Sequence, residues 1–169
     1  SERDIHFIWK YQLFQTQDIE TNYGDPIQIL QTGNLNPNQG PDFLQAKIKI
    51  GNEILYGQVE IHLRNEDWYL HRHHLDSNYD NVILHVILEA TKEIYTLTSK
   101  QTQIPILVLG DKIAPHRLHS LQYLMSQKHA IPCKEIVSMP SREAVIDFKT
   151  QLFFERMRRK SAWIEDIIQ

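Results

Sequence analysis

The chain has 169 residues, of which 41% are apolar and 23% charged, the composition of a globular domain and not of a disordered tail. A net charge of -3 excludes a protein that coats nucleic acid by charge alone and confines any phosphate-binding surface to a local patch. The single Cys133 leaves no internal disulfide, no apolar run reaches the ~20 residues of a bilayer span, and the opening SERDIHFIWK lacks the regions of a signal peptide, so the expected setting is a reducing cytoplasm with no membrane partner.

In chain order, residues 4–14 place Ile5, Ile8, Trp9 and Leu13 on one stripe, which predicts an amphipathic helix with His6 beside the stripe as a packed or surface histidine. Residues 26–31 read as a short strand. Residues 32–39 (TGNLNPNQ) read as a loop delivering the chain to Gly40-Pro41-Asp42-Phe43. Residues 43–63 then form a hairpin about Gly51-Asn52, a two-residue turn that sets Ile50 opposite Glu53, Ile48 opposite Leu55, Ala46 opposite Gly57 and Leu44 opposite Val59. That register makes one face apolar. The other face pairs Lys47 with Tyr56, Gln45 with Gln58 and Phe43 with Glu60, and continues into His62 and Arg64.

Residues two apart on a strand share a face ~7 Å apart along it, so Glu60 and His62 are able to reach one ion or water. Asp42 is the exception, because the ideal ladder sets it opposite Ile61, away from Glu60. A bend at Pro41 or a bulge at Gly57 is expected to turn it back.

Residues 64–79 (RNEDWYLHRHHLDSNY) carry His71, His73, His74 and Asp76 as further metal or phosphate ligands. On a helix His71 and His74 share a face, and on an extended loop His71 and His73 do. The bland alternative is a polar connection with stray histidines. Residues 81–89 (NVILHVILE) are apolar on both faces, as in a covered central strand, with His85 in the middle as a hydrogen-bonded core residue or a group facing the pocket.

Residues 93–99 and 104–109 supply two more strands, with Pro105 placing the latter at a sheet edge and Gly110 ending it. From Ala114, Leu118, Leu121, Leu124 and Met125 repeat at helical spacing. Residues 131–140 connect to a second helix from about Ser141, with Val145, Phe148, Leu152 and Met157 on its buried side and Arg156, Arg158, Arg159 and Lys160 as a solvated or phosphate-contacting run. No stop signal closes that helix, the pattern of an N-terminal part of a longer protein. The expected organisation is an α/β core over residues 1–112 and a helical extension over residues 113–169.

The order of helix, short strand, GPDF strand, VEIH strand, His-bearing segment and buried strand resembles the core of the PD-(D/E)xK nuclease superfamily. Pro41-Asp42 matches the PD element and Glu60-Ile61-His62 matches (D/E)xK with His in place of Lys. The wider string GPDF, VEIH, DW, HxHH and YDNVILHV is similar to a bacterial family of unknown function over residues 3–110. The superfamily resemblance implies a restriction-endonuclease-like mixed α+β sheet with flanking helices, and a divalent ion, Mg²⁺ or Mn²⁺, on Asp42 and Glu60. Such an ion lowers the pKa of bound water from ~16 toward neutrality for attack on a phosphodiester.

Asp42, Glu60 and His62 are then both the catalytic and the metal candidates. Gln58, Arg64, His71, His73, His74, Asp76 and His85 are secondary ones. Where the superfamily lysine commonly orients the attacking water, a neutral His62 titrates near pH 6.5, accepts a proton or binds metal directly, and tilts preference toward Mn²⁺ or Zn²⁺. The resulting expectation is a metal-dependent nuclease or nuclease-like phosphodiesterase acting on DNA or RNA. Its alternatives are a non-catalytic nucleic-acid or protein-binding module that keeps the fold, and a structural domain in which Glu60 and His62 form a polar cluster.

Overall fold

The computed structural model describes residues 1–91, 95–126 and 140–168. The chain divides into two units, residues 1–126 and residues 127–169. The first is an α+β domain around a mixed sheet of six strands. These are β1 (Ile27–Gln31), β2 (Asn34–Leu35), β3 (Phe43–Ile50), β4 (Glu53–Arg64), β5 (Val82–Glu89) and β6 (Ile106–Val108), in spatial order β1-β3-β4-β5-β6, with β2 also paired to β3. β1, β3 and β4 are antiparallel, while β4, β5 and β6 run parallel. A parallel pair needs a crossover, and here it consists of α2 (Asp67–Leu70) and two single turns of 3₁₀ helix, His73–Leu75 and Ser77–Tyr79.

Strand alternation assigns the two faces. Val59 and Ile61 of β4 join Leu84 and Val86 of β5 in the main core, which α1 (Glu2–Lys10) covers with Ile5, Ile8 and Trp9. Glu60, His62 and His85 alternate with them and are buried as well, on the side where Trp68, Tyr79, Val82 and Ile104 make a second cluster. The sheet is therefore covered on both sides here, as the two-sided apolarity of residues 81–89 predicts.

Three expectations are corrected. The first helix stops at Lys10, not at residue 14, because Gln12 takes a left-handed φ of +49°; Leu13 still packs on the core. Residues 95–99 form no strand beyond an isolated bridge between Leu97 and Gln103, and residues 92–94 lie outside the described ones. On α4 (Arg142–Ile168), Phe148, Leu152 and Met157 are exposed and Val145 half-buried, because α4 is the only described element of its unit and the described residues of that unit offer no second layer.

α3 (Pro115–Ser126) falls where helical spacing predicts it, although the side chains of Leu118, Leu121, Leu124 and Met125 lie outside the described ones, as do Cys133 and the connector 131–139. No helix among the described residues is long and apolar enough to cross a membrane.

Candidate metal centre

The hairpin keeps its ideal register from Ile50↔Glu53 to Ala46↔Gly57 and then slips by one residue, so that Phe43 and not Leu44 faces Val59. The bulge is at Leu44-Gln45, where Gln45 adopts a left-handed φ of +60°, not at Pro41 or Gly57. Gly57 serves another purpose: a Cβ there would lie 2.5 Å from Ile83 Cγ2, so the glycine lets β5 close on β4. The slip exchanges the faces beyond it. Phe43, expected opposite Glu60, is fully buried in the core, and Asp42 comes to Glu60. Asp42 N–H donates to Glu60 Oε2 (3.0 Å), and Ile61 N–H donates to Asp42 Oδ2 (2.9 Å).

Across the crossover, His71 caps the end of α2, Arg72 takes φ +61°, and His73 opens the next turn. A left-handed residue between two histidines is neither of the arrangements open to the sequence. It brings both rings to His62, at centroid distances of 5.0 and 5.2 Å, while His74 turns to Tyr69. One ring nitrogen from each of His62, His71 and His73 lies within 4.8 Å of the others.

Behind them runs a buried chain of hydrogen bonds. His62 Nε2 is 3.1 Å from His71 Nδ1, His62 Nδ1 is 2.9 Å from His85 Nε2, and His85 Nδ1 is 2.8 Å from Thr96 Oγ1. A neutral imidazole has one donor and one acceptor nitrogen, so the chain has a direction. If His85 donates to Thr96, His62 donates to His85 and keeps its Nε2 lone pair for the cluster.

Burial sets the charges. Glu60 is pushed up to about 8 by burial and then by the neighbouring Asp42 charge, against the Asp42 N–H that favours its ionised form. His62 is pushed down to about 2, first by burial and then by the other histidines, and His85 falls to about 3 for the same reasons. His62 therefore stays neutral throughout the physiological range, in place of the titration near pH 6.5 expected from an ordinary histidine. His73 is also lowered, by burial above all. His6 goes the other way: burial opposes its charge, but Asp42 Oδ2 at 3.2 Å outweighs burial and raises it.

The donor set fits a transition ion. Zn–N bonds of about 2.0–2.1 Å put neighbouring ligands of a tetrahedral ion about 3.3 Å apart. His62 Nε2 to His71 Nδ1 is 3.1 Å, His73 Nε2 to Glu60 Oε1 is 3.3 Å and His62 Nε2 to Glu60 Oε1 is 3.5 Å. His73 Nε2 is buried and makes no hydrogen bond even to that carboxylate, which leaves a buried polar atom without a partner. Three imidazoles suit Zn²⁺ better than Mg²⁺, which prefers oxygen.

A pocket of about 430 Å³ collects Asp42, Glu60, His62, His71, His73 and Asp76. His85 supports it from behind. Arg64 lies on the surface, paired with Glu66 at 3.1 Å, and Gln58 lines a different groove. The sequence favours a packed or surface His6 over a ligand and gives no sign of Thr96 or Tyr79. Tyr79 stacks on His73 at 3.8 Å and, with Trp68, walls the cluster. His6 adjoins the buried stripe of α1, the one available hint; Thr96 has none, since only the fold carries it to His85.

The chain belongs to the family described as a protein of unknown function, DUF2851, whose model matches residues 2–169. No curated protein and no solved structure matches it.

Proposed function

We propose that the protein is a metal-dependent phosphodiesterase acting on nucleic acid, with a transition-metal ion held by His62, His71 and His73 beside Glu60. The observation that carries this reading is the bulge-driven convergence of Asp42 and Glu60 on a three-histidine cluster that contains an unbonded, buried His73 Nε2. The element order also supports it, since the Asp42 and Glu60 strands are adjacent and antiparallel, and β5 runs parallel to the second.

When bound, the ion supplies a Lewis acid and a water of lowered pKa. The chain's own residues do the rest. His85 and Thr96 hold the tautomer of His62. Glu60 takes and returns a proton at Oε1 beside the ion, while His6 Nε2 lies 3.2 Å from Asp42 Oδ2 next to it. Trp68 and Tyr79 keep water from the rear of the histidines.

The test is cleavage of labelled single- and double-stranded DNA and RNA with Zn²⁺, Mn²⁺ or Mg²⁺, using the parent chain and Glu60→Gln. The reading expects metal-dependent products that chelation abolishes and that Glu60→Gln reduces at least about 100-fold. Metal binding with no cleavage of any substrate would reject it in favour of a binding module.

A further inference from the structure

A second groove shares no lining residue with the metal pocket. It measures about 710 Å³ and is lined by Gln31, Leu44, Gln45, Tyr56, Gln58 and Asn81, together with Ala46 and Gly57. None of these side chains carries a charge at neutral pH, whereas the metal pocket is lined by four acidic residues and three histidines. Four primary amides offer paired donors and acceptors, and Tyr56 stands 70% exposed at the side. The Gln58 carbonyl oxygen is buried and has no hydrogen-bond partner, so it lacks a donor that a ligand would bring. Asn34 Nδ2 donates to Gln45 Oε1 (3.0 Å), fixing the Gln45 amide with its nitrogen left as a donor. The strained backbone of Gln45 is what places that amide at the groove, because the bulge belongs to both sites.

We infer that this groove takes an unpaired nucleobase of the substrate, read through Gln58 and Gln45 and stacked on Tyr56, while its phosphate lies at the histidine cluster. The inference rests on the phosphodiesterase reading and names its substrate class as single-stranded nucleic acid. Gln58 and Glu60 are two residues apart on β4, so the amide and the carboxylate share a face about 7 Å apart, within the reach of one nucleotide. A neutral amide groove suits the base. Amide side chains pair with the edge of a base by two hydrogen bonds, and every base has a face that an aromatic ring stacks on.

The experiment compares fluorescence anisotropy of a labelled single-stranded hexanucleotide with that of an abasic hexanucleotide of equal charge, in chelator, for the parent chain, Gln58→Ala and the surface variant Gln45→Ala. Circular dichroism confirms that the variants fold. The base-bearing strand is expected to bind at least about tenfold more tightly than the abasic one, with that preference lost in Gln58→Ala and reduced in Gln45→Ala. Equal binding of the two strands by the parent chain would overturn the inference, as would a preference that both variants retain. Metal-dependent hydrolysis of bis(p-nitrophenyl) phosphate, a phosphodiester that carries no nucleobase, is measured in parallel. Hydrolysis without base preference sinks the groove and leaves the phosphodiesterase reading standing. Base preference without hydrolysis keeps the groove as a base-binding site and sinks that reading.

Discussion

Near its turn the β3–β4 hairpin is ordinary sheet: five consecutive pairs follow the register that Gly51-Asn52 imposes, Ile48 is fully buried, and Lys47 lies over the exposed Tyr56 ring at 5.1 Å. Beyond Ala46 the same two strands bury Glu60 and His62 beside Asp42. One extra residue separates the two regions. The regular end follows local turn and strand geometry, whereas the far end holds a left-handed Gln45 and a buried carboxylate beside the unbonded His73 nitrogen of the crossover, each of which costs stability and persists only because the surrounding packing fixes it.

The most severe way to break this contrast is to remove the extra residue. Deleting Gln45 restores the ideal ladder, returns Asp42 to the position opposite Ile61 and is expected to abolish metal-dependent cleavage, with metal binding in calorimetry and the sheet signal in circular dichroism retained. Thr96→Val sharpens it instead. The shape is kept, but His85 Nδ1 loses its hydrogen-bond partner and the tautomer of His62 is released, so metal affinity should fall about 10- to 100-fold.

The pH dependence comes next in size. In the metal-free protein Glu60 holds its proton up to about 8 when folded and only to 4.5 when unfolded, so stability falls as pH rises across that window. His62 and His85, at about 2 and about 3 against 6.5 unfolded, contribute stability above 6.5 that is lost as pH falls below it. Thermal midpoints without metal should therefore peak around pH 6.5 and decline toward pH 8, and Zn²⁺ should remove the alkaline decline by displacing the Glu60 proton. At the regular end, Lys47→Ala should change stability by no more than about 1 kcal/mol and leave metal affinity untouched, as denaturant and calorimetric titrations would show.

The regular end was legible in the sequence because turn chemistry and period-two alternation are local: the Gly51-Asn52 turn, the Ile48↔Leu55 pairing and the covered strand at residues 81–89 all follow from neighbours along the chain. Asp42 was legible as a candidate from its resemblance to a known motif, but its route to Glu60 was not. A bulge at Leu44-Gln45 contradicts the residue preference for φ > 0, and the fold, not Gln45 itself, enforces it. His71 and His73 converge for the same kind of reason, through a left-handed Arg72. Thr96 and His6 reach the site by tertiary packing alone, which no spacing encodes.

The central claim is that His62 of the hairpin and His71 and His73 of the crossover hold one ion beside Glu60. Calorimetric titration of Zn²⁺ into the metal-free chain and into His73→Ala tests it most directly. The account predicts one ion per chain, with affinity at least about 100-fold weaker in His73→Ala, while both proteins give the same sheet signal. Equal affinity in the two, or no saturable binding to the parent chain, would contradict it.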